Sequence, residues 1–133
     1  MKNRKVLQSL SVALATVIFC FQVPVIAKGD TAVHEIGQLI AFIKTSECRF
    51  NRNGSWYDPA EAADHLNRKY QYIQKKGLVS TAEDFITIAA TKSSFSGKEY
   101  VVQCAGEKPR KSAAWLTDAL AQQRKMQVKN RRE

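Results

Sequence analysis

The chain has 133 residues, with 21 Lys and Arg against 12 Asp and Glu, a formal charge of +9, three cysteines and two histidines. One domain is the economical reading of that length. His34 and His65 stand at no finger-like spacing from a cysteine, so no metal centre is expected, and no cofactor either.

Lys2, Arg4 and Lys5 open the chain, and an uncharged stretch from Val6 to Val23 follows, rich in Leu, Val, Ile and Phe. Pro24 breaks any helix there, and Val25-Ile26-Ala27 ends in the small residue that a signal peptidase reads. The expectation is a cleaved signal peptide over residues 1–27, with the mature chain starting at Lys28. An uncleaved anchor is the alternative, since roughly 18 apolar residues just span a bilayer. The Pro and the Ala-ending site favour cleavage. Cys20 follows Phe19, where lipid attachment needs a small residue, which argues against a lipoprotein.

The protein is therefore expected to be periplasmic or secreted, without stable membrane insertion after cleavage and without nucleic acid as a partner. Residues 28–133 keep 18 basic and 12 acidic side chains, a formal charge of +6. That charge suits an envelope protein or an anionic envelope polymer, phospholipid head groups, or simply a solvated surface. In an oxidising compartment the two remaining cysteines, Cys48 and Cys104, imply one disulfide.

From Thr31 to Thr45, Val33, Ile36, Leu39, Ile40, Phe42 and Ile43 recur at spacings of three and four, which predicts an amphipathic helix capped by Asp30 or Thr31. Cys48 to Tyr57 reads as a short hairpin, because Asn53-Gly54 supplies the positive φ angles of a two-residue turn. Asp58-Pro59-Ala60-Glu61 is a helix start, with a cap acceptor, a Pro at the first position and a Glu placed to reach back. That second helix runs to about Lys76, with Gly77 as its left-handed cap. Ser80-Thr81-Ala82-Glu83 opens a third helix, burying Ala82, Phe85, Ile86 and Ala89 and ending near Thr91.

Ser93 to Gly97 reads as a turn, and Tyr100 to Cys104 has the β-branched and aromatic content of a strand beside the hairpin. A polar loop from Gly106 to Lys111 precedes a last helix capped by Ser112, with Trp115, Leu116, Ala119 and Leu120 as its buried stripe. Beyond Gln123 the apolar pattern fades, and residues 124–133 read as a frayed basic tail. The architecture expected is α+β: one domain over residues 28–123, with four helices and a small antiparallel sheet of two to three strands.

Four segments carry a resemblance. They are Phe50-x-Arg52-Asn53-Gly54; Ala62-x-x-His65-Leu66-x-x-Lys69; Thr81-Ala82-Glu83-x-Phe85-Ile86; and Ser93-Ser94-x-Ser96-Gly97-Lys98-x-Tyr100. In this order they resemble the YfeK-like proteins, small bacterial exported proteins that share a domain of unknown function. The resemblance implies a periplasmic protein with this architecture and implies no activity.

His65 and Lys69 stand four apart on one helix face and could bind an anion together. The alternative makes His65 a boundary residue hydrogen-bonded to the Ser93–Gly97 turn or a nearby carbonyl, with Lys69 along the surface. Ser93, Ser94 and Ser96 invite a nucleophile reading with His65 as base, but no GxSxG elbow surrounds them, and serines before Gly are what turns use. Glu61, Glu83 and Asp84 sit in first turns, where the helix dipole favours negative charge, which explains them without glycosidase chemistry. Arg52, Trp56 and Tyr57 form a recognition patch or, alternatively, anchor the core.

The basic stretches Lys108–Lys111 and Arg124–Arg132 lack an amphipathic apolar face, so any lipid contact there would be weak and salt-sensitive. The candidate binding residues are Arg52, Asn53, Trp56, Tyr57, His65, Lys69, Ser94 and Tyr100, with no catalytic set among them. A non-enzymatic binding or protein-interaction module of the cell envelope is the expected function. A hydrolase of envelope material centred on His65 with Ser94 or Glu83 is the alternative. A lysozyme inhibitor is a third reading, opposed by charge, since such enzymes are usually basic too.

Overall fold

A computed structural model describes residues 28–133, and the expected signal peptide lies outside them. Its elements in chain order are α1 (Lys28–Thr45), β1 (Cys48–Arg52), β2 (Ser55–Tyr57), α2 (Pro59–Lys75), α3 (Ala82–Ala89), β3 (Val101–Cys104), β4 (Arg110–Lys111) and α4 (Ser112–Asn130). The four strands form one antiparallel sheet in the order β2-β1-β3-β4.

The local signals act as the residue types dictate. Asn53 (φ 55°) and Gly54 (φ 87°) make the hairpin turn, whose mirror-image twist matches that of the flanking strands. Asp58 accepts from the Glu61 N–H at 2.8 Å while the Glu61 carboxylate accepts from the Asp58 N–H at 3.2 Å. This reciprocal cap fixes the start of α2. Thr81 does the same for α3, but its partner is Asp84.

Alternation along the sheet decides what faces inward. Cys48, Phe50 and Val102 are buried while Arg49 and Gln103, paired with each other, are exposed. The core joins this inner face to Ile36, Leu39 and Ile43 of α1, Leu66 and Ile73 of α2, Phe85 of α3 and Leu116 of α4. Trp115 lies edge-on to Phe50 (5.6 Å) and stacks on Phe42 (4.6 Å), geometries that aromatic quadrupoles favour. Every residue of this core falls between 36 and 120.

Cys48 and Cys104 are direct cross-strand partners on β1 and β3, with Cα atoms 4.0 Å apart, and are joined by the expected disulfide.

Two features differ from expectation. The sheet has a fourth strand, because Arg110 and Lys111, read as loop, pair with Val102 and Val101. Two residues are too few to show alternation, and their charges suit an edge position. The last helix continues to Asn130 instead of fading at Gln123. What holds it is polar: the Arg124 guanidinium meets both oxygens of Glu35 on α1 (2.7 and 2.9 Å) and both of Glu83 on α3 (2.6 and 3.2 Å). Glu35 is only 5% exposed.

Candidate functional site

Three of the four segments of the resemblance converge at one site, while the remaining one, Thr81 to Ile86, packs its Phe85 and Ile86 into the core and turns Glu83 to Arg124. Helix α2 presents His65 and Lys69 on one face, four residues apart. The stretch leading into β3 brings Tyr100 across to them: its hydroxyl lies 3.2 Å from His65 Nε2 and accepts from Lys69 Nζ at 3.4 Å. Lys69 Nζ also donates to the Lys92 carbonyl at 3.0 Å and sits 5.1 Å above the Tyr100 ring. Because Lys69 can only donate, the chain of bonds that uses every proton runs from Lys69 to the Tyr100 oxygen and from the Tyr100 hydroxyl to His65 Nε2.

The hairpin closes this site from the other side. Arg52 lies over the Tyr57 ring at 4.4 Å, a cation–π contact. Beyond it, Asn53 Nδ2 donates to Ser93 Oγ at 3.4 Å, and the Ser96 hydroxyl donates to Asn53 Oδ1. Phe50, Arg52, Tyr57, Glu61, His65 and Tyr100, but not Lys69, line a shallow depression of about 30 Å³. That is room for a water molecule or one small polar group, far below the several hundred Å³ of a typical small-molecule site.

Cations dominate the electrostatics of His65, and the one carboxylate of the lining, Glu61, accepts from the Asp58 N–H. Burial first, then the charges of Arg52, Lys69 and Arg68, hold the His65 pKa down at about 4, so the ring is neutral at pH 7. Burial, aided by Arg52, lowers Lys69, and burial raises Tyr100 against the opposing effect of Arg52. Among the described residues no carboxylate lies within 4.0 Å of the charged atoms of Arg52, Arg68 or Lys69; the ion pairs formed are Arg110–Asp118, Lys111–Glu99 and those of Arg124. Among the same residues no group of three His, Cys, Asp or Glu is placed to hold a metal ion.

Of the eight candidate residues, the structure brings together Arg52, Asn53, Tyr57, His65, Lys69 and Tyr100. Trp56 is not among them. It pairs with Asn51, the neighbour of inward-facing Phe50, so it stands on the outer face of the hairpin, 38% exposed. Trp115 fills the core instead. Ser94 is exposed, and its neighbour Ser93 is the buried serine that bonds to Asn53. His65 meets Tyr100 rather than Ser94, and Glu83 is paired with Arg124. Sequence reasoning passed over Glu35 and Arg124, for which the one available signal was a Glu among the residues of an otherwise apolar helix face.

No curated protein and no solved structure matches this chain. The sequence model of one family, described as "Family of unknown function (DUF5329)", matches residues 30–124, which take in the whole core and every residue of the site. The chain belongs to the DUF5329 family, a family of unknown function.

Proposed function

We propose that this protein is a non-catalytic recognition module of the cell envelope, which takes a carboxylate or phosphate group at the Arg52–His65–Lys69–Tyr100 site. One observation carries the reading: two cations, Arg52 and Lys69, converge on a half-buried neutral His and a Tyr hydroxyl with no carboxylate within ion-pair distance among the described residues. Holding like charges together against partial burial is unfavourable, and a bound anion relieves it through charge-assisted hydrogen bonds. The depression of about 30 Å³ and the open one of about 200 Å³ that shares Arg52, Tyr57 and Glu61 with it are both below the usual size of an enclosed small-molecule site, which suits one anionic group displayed by a larger partner, such as an envelope polymer or protein.

The periplasmic address and bacterial origin belong to the same proposal. They rest on the residue 1–27 pattern, on the disulfide, which is at home in an oxidising compartment, and on the likeness to the YfeK-like exported proteins. No helix among the described residues is long and apolar enough to cross a membrane.

The test is calorimetric titration of residues 28–133 with soluble muropeptides, which display carboxylates, and with polyglycerol phosphate. Binding of at least one is expected, and Arg52→Ala combined with Lys69→Met should weaken it at least about tenfold, the equivalent of one lost charge-assisted hydrogen bond. Unaltered affinity in the double variant, binding of neither polymer, or muropeptide turnover that disappears in His65→Ala would each contradict the proposal.

A further inference from the structure

The loop between α3 and β3 presents a feature that the anion site does not use. Phe95 at its tip is 97% exposed, the most exposed large apolar side chain among the described residues. A mobile loop could bear such a residue by accident, but this loop is pinned. Buried Ser93 accepts at Oγ from the N–H groups of Phe95 and Ser96 (both 3.3 Å). The Ser93 N–H donates to the Lys98 carbonyl (2.9 Å), the Gly97 N–H to the Ser93 carbonyl (2.9 Å) and the Lys98 N–H to Ser96 Oγ (3.2 Å). Asn53 of the hairpin bonds to both Ser93 and Ser96, and Lys69 holds the Lys92 carbonyl at the loop's base. The conformation that extends Phe95 into solvent is therefore fixed by the loop's own bonds, by Asn53 and, at its base, by Lys69 of the anion site.

The charges around it are mostly positive. Lys92 and Lys98 flank the tip and are exposed, Lys69 bonds to its base, and Arg52 acts on Lys69 from the hairpin side. Glu99, the one acid in the segment, is neutralised by Lys111 at 3.1 Å. A protruding apolar residue ringed by cations needs a partner that is negative and yields to a convex probe. A folded protein partner would need a preformed groove for the Phe95 ring with acidic groups placed around it. A bilayer surface meets both needs: its head groups supply the charge and its interfacial zone accepts an aromatic ring.

The geometry points to the 92–98 loop as a membrane-docking wedge, in which Phe95 enters the interface of an anionic phospholipid bilayer while Lys92, Lys98, Arg52 and Lys69 contact its head groups. This rests on the anion-recognition reading and names one anionic surface for it.

The experiment is co-sedimentation of residues 28–133 with vesicles of 70% phosphatidylcholine and 30% phosphatidylglycerol, alongside vesicles of phosphatidylcholine alone. The expected result is binding to the anionic vesicles only, weakened at least about tenfold by Phe95→Ser and weakened by added salt in wild type and variant alike. Phe95 makes no core contact, so the variant folds as wild type. Equal partitioning of Phe95→Ser and wild type overturns the wedge, as does binding to neutral vesicles of the same strength. Absence of vesicle binding with muropeptide binding intact also overturns it and leaves the anion site standing. Absence of both overturns both.

Discussion

Reduction of the Cys48–Cys104 bridge is expected to lower the free energy of unfolding by about 4 kcal/mol. The bridge closes a loop with a sequence separation of 56, and in the chain-entropy account a closed loop of that length removes about this much freedom from the unfolded state. The folded state has little to lose by comparison, because Cys48 and Cys104 remain neighbours in the β1–β3 ladder through the backbone bonds of Arg49, Phe50 and Asn51 with their partners. Domains of this size have on the order of 5–15 kcal/mol in total, so the reduced protein keeps its fold but approaches marginal stability. Urea unfolding of the Cys48→Ser/Cys104→Ser variant checks this. A fall below about 1 kcal/mol would show that the unfolded chain is already compact around this pair.

Arg124→Ala is expected to cost about 2–3 kcal/mol. The change strands Glu35, 93% buried at its side chain, and removal of one partner from a buried pair typically costs about 3–5 kcal/mol. The lower figure applies because the Arg124 side chain is 44% exposed and solvent screens part of the attraction. Its second partner adds a pH signature. The hydrogen bond from Arg124 holds the Glu83 carboxyl below its ordinary value of 4.5. The stability contributed by Glu83 is thus present above pH 4.5 and is lost as the pH falls through the lowered value. Glu35→Leu combined with Arg124→Leu should recover most of the loss, since apolar replacement of a whole buried pair is often neutral. A single Arg124→Ala variant as stable as wild type would contradict this account of how α4 docks.

Much of the fold is legible because its signals are local. Asn53-Gly54 and Asp58-Pro59-Ala60-Glu61 each contain within four residues the chemistry that fixes their geometry, and the three-and-four spacing of Ile36, Leu39 and Ile43 needs no partner to be read. The failures share a cause in distance. Strand β4 exists only because Val101 and Val102 lie alongside Arg110 and Lys111, and the length of α4 depends on Glu35, 89 residues from Arg124. At the site, the sequence places His65 and Lys69 on one face but cannot show that Tyr100, 35 residues on from His65, closes over them. Local turn chemistry marks the Ser93–Gly97 segment, yet which serine turns inward is set by Asn53, 40 residues before Ser93. Trp56 was indistinguishable from Tyr57 in composition, and only the register of the hairpin separates their faces.

The reading as a whole depends on an anion sitting beside His65. NMR titration of the His65 ring in residues 28–133, with and without sulfate, tests this directly, because sulfate stays an anion across the range and the ring reports the charge next to it. In its absence the pKa should be about 4. With saturating sulfate it should rise toward the ordinary imidazole value, since a nearby negative charge stabilises the imidazolium, and the rise should vanish in Arg52→Ala/Lys69→Met. A His65 pKa that sulfate leaves unchanged would mean that the cluster is not an anion site.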